Sequence, residues 1–231
     1  MRSDHRNSLW IVLAGCTMLL LAGIRAASIE ISPFLGSGSS EYAKVIGLAS
    51  GQIGPGLSIS SQLQFLFDCR VALASITGRA QPTATRQKVI ATCVGASDRL
   101  VSQSPTFSAA WYTGALAMSF VPQRAGLNIR LRKSFETGPH ELWIAELRTD
   151  LVLDNFDSLD ADLIESSDAD LLMLLGVDAG RQSLAPRYLS RPALQVRIDA
   201  QLARITAADR SRFQNIVERL DVERGRSNGR G

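Results

Sequence analysis

An uncharged apolar run near the amino terminus constrains this chain more than any other feature. Leu9–Ile24 contains sixteen residues without a charge, and Arg25 follows directly. Residues 1–7 carry two arginines and one aspartate. A basic flank of this kind stays in the cytoplasm while the chain beyond the apolar run is exported. We therefore predict that residues 1–27 form a signal anchor or transmembrane segment and that the rest of the chain lies outside the cytoplasm.

The length of the run leaves two fates open for this segment. Sixteen residues at about 1.5 Å each span about 24 Å, which is shorter than a hydrocarbon core of about 30 Å and slightly longer than the usual core of a cleaved signal. Cleavage before Ala27 places the large side chain of Ile24 where small residues are preferred. We favour a retained single-pass anchor in the inner membrane with a periplasmic domain. The alternative is a cleaved chain that is released into the periplasm.

Charges downstream of the anchor are separated into bands. Residues 70–140 hold nine Lys and Arg against two acids, residues 141–180 hold eleven acids against Arg148, and residues 181–231 hold eleven arginines against five acids. We favour the interpretation that oppositely charged helices attract one another within the fold, and the alternative is a polarised surface for a partner. The aromatic and basic pattern of nucleic-acid modules is absent, so no nucleic-acid partner is expected.

The remaining chain divides by composition into a linker, a helical domain and a tail. Residues 28–60 are rich in Gly and Ser, which predicts a linker, and Glu41–Ala49 within it has the composition of a short helix. From residue 61, apolar side chains recur at helical spacing, beginning with Leu63, Leu66, Phe67, Val71 and Ala74. Since few segments alternate with period two, we predict an all-α domain over 61–222 and a disordered tail over 223–231.

Two cysteines lie at equal distances from a predicted turn. The turn Gly78–Thr83 has its midpoint near Gln81, and Cys69 and Cys93 are each twelve residues from it. Residues equidistant from the turn of an antiparallel helical hairpin face each other. In an oxidising periplasm the pair is predicted to form a disulfide worth about 3 kcal/mol by loop entropy. Two separate buried thiols are the main alternative, and a redox-active pair is disfavoured because the Cys-x-x-Cys motif is missing.

A repeat signal follows the hairpin. Ser104-Pro105 and Gly138-Pro139 place two prolines 34 residues apart, and Trp111 lies six residues after the first proline. Gly114 and Ala115 are small residues that allow paired helices to approach closely. This pattern resembles a degenerate tetratricopeptide repeat followed by a partial second one.

The resemblance covers about 60 residues and has departures. Trp143 lies four residues after Pro139 rather than six, and Leu127 and Leu131 occupy positions where small residues are expected. The chain as a whole also resembles membrane-anchored repeat proteins of bacterial envelopes, some of which are accessory factors for surface-polysaccharide production.

The tetratricopeptide resemblance implies a helical solenoid that binds a partner along a concave groove. On this basis the chain is interpreted as a non-catalytic interaction or scaffold module for another envelope protein. The side chains that we expect to contact the partner are aromatic or basic: Trp111, Tyr112, Arg130, Arg132 and Lys133. The alternative for these residues is that Trp111 is part of the core and that the basic cluster is a solvated helix face.

Catalytic and metal-binding patterns are weak throughout the chain. A calcium loop starting at Asp154 needs an oxygen ligand and a glycine where Phe156 and Leu159 stand. His140 is the one histidine beyond residue 5, and no serine lies in a Gly-x-Ser-x-Gly elbow. We therefore predict no catalytic residue, no metal and no cofactor. The competing hypothesis is an envelope hydrolase that uses a carboxylate of residues 150–170 in a deep pocket, with a raised pKa.

Overall fold

The structure, a computed structural model, describes residues 2–37, 40–121 and 125–228. Within these ranges the chain forms α-helices and one 3-10 turn but no β-strand, which confirms the all-α prediction. In chain order the helices are α1 Arg2–Ser37, α2 Glu41–Ala49, α3 Ile59–Ala74, α4 Ile76–Arg79, α5 Thr83–Gln103, α6 Ser108–Met118, α7 Ala125–Thr137, α8 Leu142–Asp154, α9 Ala161–Leu175, α10 Asp178–Ser190, α11 Pro192–Leu202 and α12 Ala207–Asn228, with the 3-10 turn Phe156–Ser158 before α9. The chain divides into two compact units, Met1–Arg99 and Leu100–Gly231.

Helix α1 is long and apolar enough to cross a membrane. The stretch that meets this description is Trp10–Leu35, and residues 10–25 are exposed in the structure, as expected for a surface that faces lipid. The predicted apolar helix near the amino terminus is therefore confirmed. The helix continues beyond the predicted segment 1–27 and reaches Ser37.

The region 28–60, predicted to be a linker, contains ordered structure. Its first part belongs to α1, and Glu41–Ala49 forms α2, where Ser40 caps the helix by accepting a hydrogen bond from the backbone N–H of Ala43 (3.3 Å). Because helix caps satisfy backbone groups that would otherwise need water, they favour a defined start to the helix. The Gly and Ser residues of this region therefore serve partly as caps and turns.

The carboxylate of Glu30, in the carboxyl-terminal third of α1, joins this helix to the start of α3. The backbone N–H groups of Leu57 and Ser58 donate to Glu30 Oε2 at 2.7 and 3.0 Å. The hydroxyls of Ser58 and Ser61 donate to the same carboxylate. A Cβ on Gly56 would lie 2.2 Å from the Ser61 hydroxyl and 2.9 Å from Glu30 Oε2, so this approach requires glycine. The chain before α3 is therefore held against α1 by several hydrogen bonds.

The core of the first unit is a disulfide-linked pair of helices. Cys69 on α3 and Cys93 on α5 are bonded, with their Cα atoms 5.8 Å apart and both residues buried. The hairpin geometry inferred from the sequence is thus present. The buried stripe of α3 differs from the predicted one, because Phe67 is exposed. The charged groups of Lys44 and Arg70 pack against the face of its ring. The buried positions are Ser61, Phe65, Leu66, Asp68, Cys69, Ala72 and Leu73.

The second unit begins with an antiparallel helix pair. The Ser134 hydroxyl near the end of α7 donates to the carbonyl of Ser108 at the start of α6 (3.2 Å). At the other end, a Cβ on Gly126 of α7 would lie 2.8 Å from Met118 Cε of α6. Eight further residues of α6 besides Ser108 are buried, and most of them are small, which allows the two backbones to approach closely.

The remaining helices of the second unit enclose a separate leucine-rich core. Its buried members come from α8 to α12 and are Ala145, Leu171, Leu174, Leu175, Leu184, Ala185, Leu194, Ile198, Leu202 and Phe213. The last helix, α12, is capped at its start, since the backbone N–H of Asp209 donates to the Thr206 hydroxyl (3.1 Å).

The last helix extends into the segment predicted to be disordered. Helix α12 continues to Asn228, so residues 223–228 are helical. The Arg224 guanidinium donates to the carbonyl of Leu189 (3.3 Å), and Glu and Arg are good helix formers, so both contacts and propensity favour this extension. Residues 229–231 of the predicted tail lie outside the described residues.

Candidate functional site

The predicted basic cluster lies on α7 and is largely neutralised by acidic neighbours. Arg132 donates to both oxygens of Asp162 (2.8 and 3.0 Å) and to Asp160 (2.9 Å). These hydrogen bonds lower the pKa of Asp162 and raise that of Arg132. Lys133 forms an ion pair with Glu136 one turn further along (2.6 Å). Arg130 lies half-buried on the same helix.

The predicted aromatic pair on α6 is divided between surface and core. Trp111 is half-buried, and its indole N–H donates to the carbonyl of Pro105 (2.8 Å), which joins two elements of the repeat signal. Tyr112 is 4% exposed and belongs to the core, so a partner reaches its side chain only if α6 moves. Of the two aromatics, Trp111 alone is accessible in this arrangement.

Two apolar side chains missed by the sequence reasoning are exposed in this unit. Ile129 on α7 is 60% exposed and lies one turn before Lys133, so both residues occupy the same side of the helix. Trp143 on α8 is also exposed. The sequence could have indicated the exposure of Ile129, because it lies next to Arg130 and on the side of α7 opposite to the buried residues Leu127 and Leu131.

Aspartates of the acidic band form ion pairs with arginines in the second unit, and all of these pairs except Asp178–Arg181, which lies within α10, join different helices or their caps. Seven aspartates of residues 141–180 are bonded to arginines. The pairs are Asp150–Arg187, Asp154–Arg191, Asp160–Arg132, Asp162–Arg132, Asp168–Arg197, Asp170–Arg148 and Asp178–Arg181. The Asp150 pair raises the pKa of Arg187, and the Arg181 pair lowers that of Asp178. Five of these pairs join the acidic band to a basic band and link different helices or their caps, as the interpretation of attraction within the fold predicts.

The most deeply buried of these pairs is Arg148–Asp170, between α8 and α9. Arg148 is 0% exposed and donates to both Asp170 oxygens, each at 2.8 Å. Its remaining N–H groups donate to the carbonyls of Ser134 (2.7 Å) and Gly138 (3.1 Å) at the end of α7, and its guanidinium lies 4.5 Å from the centroid of the Phe135 ring. The positive charge of Arg148 at the carboxyl terminus of α7 is also favourable for the helix dipole. Through these bonds the Arg148 side chain links α7, α8 and α9.

Asp170 bears on the hydrolase hypothesis because burial raises its pKa. This carboxylate is 3% exposed and both of its oxygens accept hydrogen bonds from Arg148. An open cleft elsewhere in this unit is lined by Leu153, Asp154, Ser190, Arg191, Pro192 and Ala193. The carboxylate in that cleft, Asp154, accepts a hydrogen bond from Arg191 (3.1 Å). The raised pKa and the open cleft therefore belong to different residues.

No protein-family model matches the chain, and neither a curated protein nor a solved structure matches it significantly.

Proposed function

We propose that this chain is a non-catalytic interaction module, anchored in the inner membrane by α1, whose helical units lie in the periplasm and bind another envelope protein. An accessory role in the assembly of the envelope or of surface polysaccharide is the task that we propose for it. The second unit, on this proposal, is a diverged tetratricopeptide-like array.

The observation that carries the proposed location is the buried disulfide between α3 and α5, in the first unit. Cys69 and Cys93 are both buried, so their bond is a structural one rather than an exposed regulatory one. Structural disulfides persist in oxidising compartments and are rare in the cytosol. An apolar helix near the amino terminus followed by a disulfide-linked helix pair fits export, with Arg2 and Arg6 at the start of α1 on the cytoplasmic side.

The helix pairs of the second unit support the proposed repeat character. Helix α6 begins at Ser108 and α8 at Leu142, which is a spacing of 34 residues, the length of a tetratricopeptide repeat. Helix α6 packs against α7, and α8 packs against α9. Stacked helix pairs bind partners through side chains on their exposed faces, which is the mode of action that we propose.

The surface that we propose for the partner includes Ile129, Arg130, Lys133 and Trp143. Apolar and aromatic side chains beside arginine are typical of interface hot spots. The arginine bonds of the acidic segment favour this proposal over hydrolysis, because a carboxylate bonded to arginine is poorly placed to accept or donate a proton in a reaction.

Topology and partner binding are tested separately. For topology, alkaline phosphatase and green fluorescent protein are fused in turn to the carboxyl terminus of the full chain. We expect the phosphatase fusion to be active, because alkaline phosphatase folds only after export. We expect the green fluorescent protein fusion not to fluoresce. A fluorescent fusion with inactive phosphatase contradicts the proposed location.

For the partner, a photo-crosslinking residue replaces Ile129 in cells, and Val196 of α11, 72% exposed, serves as the matched control. We expect a discrete crosslinked species from position 129 that position 196 does not give, and we expect Ile129→Asp to lower recovery of the same companion after mild detergent extraction. Identical patterns from both positions, or no specific companion, contradict the proposed surface.

A further inference from the structure

The start of α3 and the turn before it expose two large apolar side chains beside the carboxyl-terminal third of α1. Leu57 is 64% exposed and Ile59 is 58% exposed. Both lie within a segment of 23 residues, between Lys44 and Asp68, that carries no charge. Several residues of this segment, including Ile53, Phe65 and Leu66, are buried in the core. Leu57 and Ile59, in contrast, expose apolar surface two residues apart with no charged residue near them in the sequence.

The position of this turn relative to α1 is defined by Glu30. The backbone N–H of Leu57 donates to Glu30 Oε2 at 2.7 Å, and the next N–H, that of Ser58, donates to it at 3.0 Å. Leu57 and Ile59 therefore lie at the level of Glu30 along the α1 axis, to within the reach of a side chain.

The length of α1 places Glu30 at the boundary of a bilayer. The stretch from Trp10 to Ile29 is 20 residues, which span about 30 Å, the thickness of a hydrocarbon core. Trp10 then lies at one membrane interface, where Trp is enriched, and Arg25, one turn before the other end, is long enough to reach the headgroups. With this placement Glu30 is the first α1 residue outside the hydrocarbon, and residues 10–25, which are exposed in the structure, would face the lipid.

We propose that Leu57 and Ile59 insert into the outer leaflet of the inner membrane, at the level of the headgroups and upper acyl chains. The turn thus forms a second membrane contact next to α1 and holds the first unit at a fixed height and orientation on the bilayer. This proposal rests on the proposed anchoring of α1. Apolar side chains at this depth are stabilised by leaving water, as in interfacial membrane segments.

The test is a depth measurement on the full chain in vesicles of phosphatidylethanolamine and phosphatidylglycerol. Cys16 is replaced by Ser, so that the spin label reacts at one introduced cysteine while the Cys69–Cys93 disulfide stays intact. The labelled variants are Leu57→Cys, Ile59→Cys, Ile76→Cys and Leu20→Cys. Ile76 is the matched control because it is 87% exposed and lies beyond the other end of α3, about 24 Å along the helix from Ile59.

We expect labels at positions 57 and 59 to collide more with dissolved oxygen than with a water-soluble nickel complex, by several-fold relative to position 76. Position 20 is expected to be deeper still. Equal accessibility at positions 57 and 76, with position 20 deep, overturns the lipid contact and leaves the anchor standing. Shielding of position 57 from both reagents indicates coverage by protein and also overturns it. A water-exposed label at position 20 overturns the anchor and the lipid contact together.

Discussion

Replacement of Arg148 by Met is the perturbation that tests the packing of the second unit most directly. Methionine keeps the length and most of the apolar contact of the side chain while it removes the guanidinium. Asp170, at 3% exposure, is then left without its charged partner. Removal of one member of a buried ion pair costs about 3–5 kcal/mol, because the other charge remains desolvated. Since whole domains are stable by about 5–15 kcal/mol, this loss is a large share.

A second substitution separates the pair from its surroundings. The carbonyls of Ser134 and Gly138 lose the Arg148 donor in any variant, but each still accepts from a backbone N–H, that of Gly138 (3.1 Å) and that of Glu141 (3.4 Å) respectively. Adding Asp170→Leu to Arg148→Met removes the stranded carboxylate. We therefore expect the double variant to recover most of the lost stability, since apolar replacement of a whole buried pair is often neutral or better.

The assay is urea unfolding of the full chain in mild detergent, followed by circular dichroism. Asp162→Asn is the matched control, because its arginine partner Arg132 and Asp162 itself are exposed, and exposed pairs contribute little. The loss in Arg148→Met is also expected to shrink in mild acid, where Asp170 takes up a proton. A single-variant loss below about 1 kcal/mol, or a double variant less stable than the single one, refutes the reasoning.

Three further outcomes follow from individual residues. Replacing Cys69 and Cys93 by Ser is expected to lower the free energy of unfolding by about 3 kcal/mol in the same urea assay, and an unchanged midpoint contradicts a stabilising disulfide. Gly180→Ala is expected to destabilise the protein, because the new Cβ would lie 2.2 Å from the backbone carbonyl oxygen of Leu174. Gly95→Ala is expected to raise the free energy of unfolding by up to about 1 kcal/mol, because the new Cβ would have nothing within 4 Å. Melting temperatures of the two variants that shift in the same direction count against this prediction. Because the pKa of Asp162 is lowered in the folded protein, its pairing with Arg132 stabilises the fold at pH values above the ordinary pKa of 3.8. This contribution is lost as the pH falls below that value and the carboxylate takes up a proton. The stabilities of Asp162→Asn and of the parent protein are therefore expected to become equal in acid.

Features that depend on local pattern were readable from the residues alone. The apolar run before Arg25 predicted the long helix α1, because a helix needs only its own backbone and an apolar surface to be stable in lipid. The equal spacing of Cys69 and Cys93 about one turn predicted the disulfide, because a helical hairpin relates sequence distance to spatial distance. Helical periodicity predicted the all-α class.

The sequence by itself thus determined the class of secondary structure, the apolar amino-terminal helix and the disulfide-linked hairpin. Only the tertiary structure decided that Glu30 fastens the supposed linker to α1, that Tyr112 is buried while Trp111 is partly accessible, and which arginine each aspartate of the acidic segment meets. The physical reason is range. Helical periodicity and hairpin symmetry act over a few turns of chain, whereas a hydrogen bond across 27 residues or an ion pair across 37 depends on how separate helices pack, which no local spacing encodes.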